Sequence, residues 1–174
     1  MRASGAYLCK LVVRPALLVL ALLAAPASAG EAPPALRTAL DSLVALLADG
    51  HAREVPGSRS SRPVMLADRH VFVTTFDLSG LHGGHRGGTL LAVHESNDVG
   101  ERSQGAEAPG SMRLVAVTWV AHRDWRTLDT AALRVEDDRI LIPGLARRAS
   151  GPSCCPSEPI VARYALVHDN LVAD

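Results

Sequence analysis

Lysine is almost missing from this chain. The one lysine, Lys10, lies near the start, so every basic residue beyond it is arginine. Cysteine is nearly as scarce. Of three cysteines, Cys9 sits in the same N-terminal stretch, and the other two, Cys154 and Cys155, are neighbours. A disulfide-rich scaffold is therefore excluded, because no two distant parts of the chain carry thiols to join. Long apolar runs are absent too. "ALLVLALLAA", Ala16 to Ala25, spans 10 residues, against roughly 20 for a membrane-spanning helix.

Catalytic motifs are equally sparse. No G-x-S-x-G elbow marks a nucleophilic serine. "HES" at His94–Ser96 lacks the second histidine of a metalloprotease helix. "HRDW" at His122–Trp125 has no Gly-rich nucleotide loop or strand lysine to accompany it. No carboxylate pair is placed for glycoside hydrolysis. A glycine-rich dinucleotide turn and a β–α alternation are both missing, which argues against a doubly wound fold. The expectation is a protein that is not an enzyme.

What is present begins with an export signal. Arg2, Lys10 and Arg14 form a positive segment, Ala16–Ala25 an apolar one, and "ASA" at residues 27–29 a cleavage site. Residues 1–29 are expected to be a cleaved signal peptide. No cysteine follows the apolar segment to carry a lipid, and no Arg-Arg pair precedes it, so the general secretory route is expected. The destination is the periplasm or the medium, with no membrane span after cleavage. Residues 30–174 then make one exported domain. It carries 15 basic against 18 acidic residues, so nucleic acid is not an expected partner.

Hydrophobic periodicity divides this domain in two. In "PPALRTALDSLVALLADG", Leu36, Leu40, Leu43, Val44 and Leu47 share one helical face, with Pro34 at the first turn and Gly50 as the stop. "HAREVPGSRSSRP" reads as a polar loop. Alternating, β-branched segments follow: "HVFVTTF", "GTLLAVHE" and "RLVAVTWVAH", the last apolar on both faces and so read as a central strand. Two hairpins close the chain, one turning at Asp137 and Asp138, the other at His168–Asn170. Phe72 and Phe76 share a face and are expected in the core; Trp119 and Trp125 read as packing residues. The fold class is α+β: one N-terminal amphipathic helix packed on a curled, mostly antiparallel sheet of about six or seven strands. A small β-sandwich is the alternative.

Cys154 and Cys155 are the most distinctive residues. Adjacent Cα atoms lie about 3.8 Å apart across a trans peptide, closer than the roughly 4.4–6.8 Å of an ordinary disulfide. A bond between them closes a small ring and constrains almost none of the unfolded chain. Four readings stand: two reduced thiols in a turn, a vicinal disulfide, a bond to another chain, or ligands for a soft metal. For the metal, His82 and His85 in "LHGGHRGG" are the candidate helpers, three residues apart on a glycine-rich loop. His94 and His122, at predicted strand ends, are further candidates.

The last 85 residues or so, running from "RLVAVTWV" through "LDTAALRVEDDRILI" and "CCPS" to "VARYAL", resemble a loose group of uncharacterised bacterial exported proteins and lipoproteins. That group shows a hairpin, then CCP[ST], then an aromatic Y.L strand; here these fall at Arg139–Ile142, Cys154–Ser157 and Tyr164–Leu166. Members often carry an acidic "D.NgDG" turn, of which "DLSGLHGG" keeps Asp77 and Gly80 but not the other acids, so a calcium role is not carried over. The resemblance implies export and fold, and no particular activity. The leading expectation is a non-enzymatic, envelope-associated or ligand- or partner-binding module without a cofactor. The alternative is a redox-responsive or copper- or zinc-binding protein using Cys154, Cys155, His82 and His85.

Overall fold

The computed structural model describes residues 32–48, 50–81, 86–97, 110–122, 126–147 and 156–174. Helix α1 covers Pro34–Leu47. Among the described residues ten strands follow: β1 Arg53–Glu54, β2 Ser60–Leu66, β3 Arg69–Leu81, β4 Arg86–Ser96, β5 Met112–His122, β6 Arg126–Leu128, β7 Arg134–Glu136, β8 Arg139–Ala146, β9 Glu158–Val167 and β10 Asn170–Ala173. All the strand pairings are antiparallel. They form two five-stranded sheets. In the first, β3, β4 and β5 lie side by side, and both β1 and β2 pair with the outer edge of β3. In the second, β10, β9 and β8 lie side by side, and both β6 and β7 pair with the outer edge of β8.

The sheets face each other across one apolar core. Val71, Val73, Leu91, Val93, Val115, Ala116 and Val120 of the first sheet meet Ile140, Ile142, Ala162 and Tyr164 of the second. Burial of this layer drives the association of the two sheets. A second apolar layer lies on the first sheet's other face. There Leu36, Leu40 and Leu43 of α1 pack on Phe76, Leu78, Leu90 and Ala92, with Phe72 and Trp119 alongside. The helix thus buries the stripe read from its leucine spacing, and the paired phenylalanines enter the core as expected.

Both edges of the sandwich are drawn together. β5 lies beside β10, and β2 beside β7. On the β2 side, Arg62 donates to the carbonyl oxygens of Leu133 (3.0 Å) and Ala131, at the end of a 3₁₀ turn over Thr130–Ala132. The Ala67 amide donates to the Asp138 carboxylate at 2.9 Å. Three two-residue hairpin turns, Ala67–Asp68, Asp137–Asp138 and His168–Asp169, have positive φ at both positions. That is the primed-turn geometry that matches strand twist.

Several expectations are corrected. The stretch read as a loop, His51–Pro63, contains β1 and the start of β2. Its polar residues are tolerated because β2 is an edge strand, which also explains Pro63. The strand count rises from about six or seven to ten among the described residues, because short strands at sheet edges carry little periodic signal. β5 ends its sheet rather than standing at its centre; it is apolar on both faces because the helix covers one face and the second sheet the other. Two register shifts between β4 and β5 break its alternation, so Val115 and Ala116 both enter the inter-sheet core. The helix ends at Leu47, with Ala48 already extended, before Gly50 is reached. The last hairpin turns at His168–Asp169, and Asn170 opens β10.

Candidate functional site

The inward face of β3 reads Val71, Val73, Thr75, Asp77. Three of these positions continue a core row; the fourth places a carboxylate where the row reaches the end of the sandwich. Opposite it in β4, Thr89 extends the inward row of Val93 and Leu91. The Thr89 hydroxyl donates to Asp77 Oδ1 at 2.6 Å. Asp77 sits where the edge of β3 passes from β2 to β1. There its amide donates to the Ser58 hydroxyl at 3.0 Å, and its carbonyl accepts from the Val55 amide at 2.9 Å. The backbone that carries the carboxylate is therefore held on both its polar groups.

The second sheet supplies the other wall. Asp77, Gly88, Thr89 and Ala121 share a cleft of about 180 Å³ with Arg126, Thr127 and Leu128. Arg126 Nη2, on β6, donates at 2.9 Å to the hydroxyl of Tyr164, on β9 of the same sheet. Burial pushes the Tyr164 phenol up, against the opposing pull of the Arg126 guanidinium, so the ring stays neutral. Gly88 lines the cleft, and Gly144, in β8, lies opposite Leu128. A Cβ on Gly88 would fall closer than 3 Å to the carbonyl oxygen of Ala121, and one on Gly144 equally close to that of Thr127. Side chains at either point would force the paired strands apart.

Two buried polar groups stand out. Thr75, 1% exposed, lies two residues inward of Asp77 on the same strand face, and its hydroxyl has no hydrogen-bond partner among the described residues. His94 is fully buried on the helix-side face of β4, paired across strands with Phe72 and Leu114. Neither of its ring nitrogens has a partner among the described residues, and burial lowers its pKa to about 4. It is a neutral core residue in an apolar layer rather than an exposed ligand at a strand end.

Cys154, Cys155, His82 and His85 lie outside the described residues, as does Trp125. His122 is described only as part of β5. Among the described residues no group of three or more His, Cys, Asp or Glu side chains gathers to hold a metal ion. The cleft is not among the sites expected from the sequence. Its signal was available in one place: a carboxylate in an inward position of an otherwise apolar alternation on β3. Arg126 carried no comparable signal, since its role depends on the meeting of two sheets. No family model matches the chain, and no curated protein or solved structure is similar to it. What the fold and cleft define is a two-sheet antiparallel protein with a helix on one outer face and a charged cleft at one end.

Proposed function

We propose that this protein is an exported, non-enzymatic binding module that takes a small polar ligand in the cleft between Asp77 and Arg126. One observation carries the reading: opposite charges, fixed by Thr89 and Tyr164, line one cleft at the end of a sandwich. Ligand sites favour such mouths, with a few fixed polar groups on an otherwise apolar frame. Export is supported by the N-terminal segment and by the resemblance of the C-terminal half to bacterial exported proteins. No helix among the described residues is long and apolar enough to cross a membrane. The test is a thermal-shift and NMR titration of the mature chain against small polar molecules. Saturable shifts confined to the cleft support the reading. Turnover of a substrate, abolished by one polar substitution, overturns its non-enzymatic part.

A redox or soft-metal role for Cys154 and Cys155, aided by His82 and His85, is the second reading. It is supported by the sequence alone, by the two adjacent thiols and the two histidines three residues apart. The check is intact mass with thiol alkylation before and after reduction, alongside metal analysis. Tags gained only after reduction support a vicinal disulfide. Two tags on the native, metal-free chain remove this reading.

A further inference from the structure

We infer that the cleft is built for a small zwitterion, a molecule of free amino acid size carrying an ammonium and a carboxylate a few atoms apart; this rests on reading the cleft as a binding site. Asp77 comes from the first sheet and Arg126 from the second, and both line the same 180 Å³. No ion pair joins them among the described residues. Each is oriented by a neutral hydroxyl: Thr89 Oγ1 holds Asp77 Oδ1 at 2.6 Å, and Tyr164 OH accepts from Arg126 Nη2 at 2.9 Å. Asp77 Oδ2 and the remaining N–H groups of Arg126 have no partner among the described residues. Two half-buried charges thus line the cleft with hydrogen-bonding capacity that the described residues leave unused, which a ligand carrying both counter-charges can take up.

A zwitterion does this with no net charge. A simple anion would meet the repulsion of Asp77, and a simple cation that of Arg126, so the same pair rejects singly charged competitors. A monosaccharide fits less well: the lining residues include no aromatic ring on which a sugar face could stack. Ala121, Gly88 and Leu128 instead offer a small apolar surface suited to a short aliphatic segment. A cleft of about 180 Å³ suits a small ligand.

The experiment is titration calorimetry and amide chemical-shift mapping of the mature chain with glycine, alanine, β-alanine and γ-aminobutyrate. Acetate, ethylammonium and methyl glucoside serve as comparison probes. At least one amino acid is expected to bind tenfold or more tightly than acetate or ethylammonium, with shifts at Asp77, Thr89, Arg126 and Thr127. Asp77→Asn and Arg126→Gln should each weaken it at least tenfold. Shift mapping on the unaltered protein decides the matter should Arg126→Gln not fold. If methyl glucoside or a singly charged probe binds as tightly, and Asp77→Asn abolishes that binding, the zwitterion inference falls while the binding-site reading stands. If no probe shifts the cleft residues, or Asp77→Asn leaves binding unchanged, both fall.

Discussion

Arg69 grips Glu95 through two parallel hydrogen bonds, Nε to Oε1 at 3.0 Å and Nη2 to Oε2 at 2.7 Å. The same guanidinium reaches Asp169, in the β9–β10 turn, at 2.7 Å. Arg113 bridges the same two acids, at 2.9 Å to Glu95 and 3.2 Å to Asp169. Four charges on β3, β4, β5 and the last hairpin therefore clasp the two sheets at the pole opposite the cleft. Arg69 and Glu95 are only 27% and 22% exposed, so solvent screens them incompletely. Glu95→Gln is expected to cost about 1 kcal/mol in urea unfolding, with the loss shrinking in 1 M salt. A loss unchanged by salt would count against the clasp.

The pH profile should show two separate windows. His94 is buried neutral, with its pKa lowered from 6.5 to about 4. Its folded value lies below its unfolded value, so it costs nothing above pH 6.5. Stability then falls as pH drops from 6.5 toward 4, by up to on the order of 3 kcal/mol, as the unfolded chain takes up a proton that the folded chain refuses. His94→Leu should flatten this window, and it leaves no hydrogen bond broken. The acids of the clasp act lower. Glu95 and Asp169 are held below their ordinary values by hydrogen bonds from Arg69 and then Arg113. Their contribution is complete above about pH 4.5 and is lost as pH falls through their depressed folded values. Urea midpoints of both proteins from pH 8 to 3 separate the two effects.

Gly88→Ala should be among the most damaging small changes. The added methyl would meet the Ala121 carbonyl oxygen, which is backbone and cannot swing aside. A loss of about 3 kcal/mol or more is expected. Gly144→Ala faces the same obstacle at the Thr127 carbonyl. Gly110→Ala meets nothing within 4 Å and suffers only from its positive φ of 89°, at a cost of about 1 kcal/mol. Denaturation midpoints that ranked Gly110→Ala as the worst of the three would contradict the close strand approach.

Ala67→Gly or Ala67→Asn is expected to stabilise. Ala67 holds φ at 50° in the β2–β3 turn, where a Cβ is unfavourable. Its amide bond to Asp138 belongs to the backbone and survives the change. The gain should be about 0.5–1 kcal/mol in thermal or urea unfolding. A loss would mean that the methyl group packs usefully in the turn.

Elements with a local signal were legible in the chain before any tertiary contact was known. The leucine spacing from Leu36 to Leu47 specifies a helix with one apolar face, and the alternation from Val71 to Phe76 specifies a strand. Asp137–Asp138 specifies a hairpin, because turn chemistry and strand period act within a few residues. The remaining features come from the packing of distant segments. β1 and β2 exist because β3 is long enough to pair with both, and neither has an apolar rhythm of its own. β5 is apolar on both faces at a sheet's end because a helix covers one side and a second sheet the other. The cleft joins Asp77 to Arg126, 49 positions later in the chain, and the clasp joins Arg69 to Asp169. Such partners are chosen by the packing of two sheets. Local periodicity carries no record of which faces will meet.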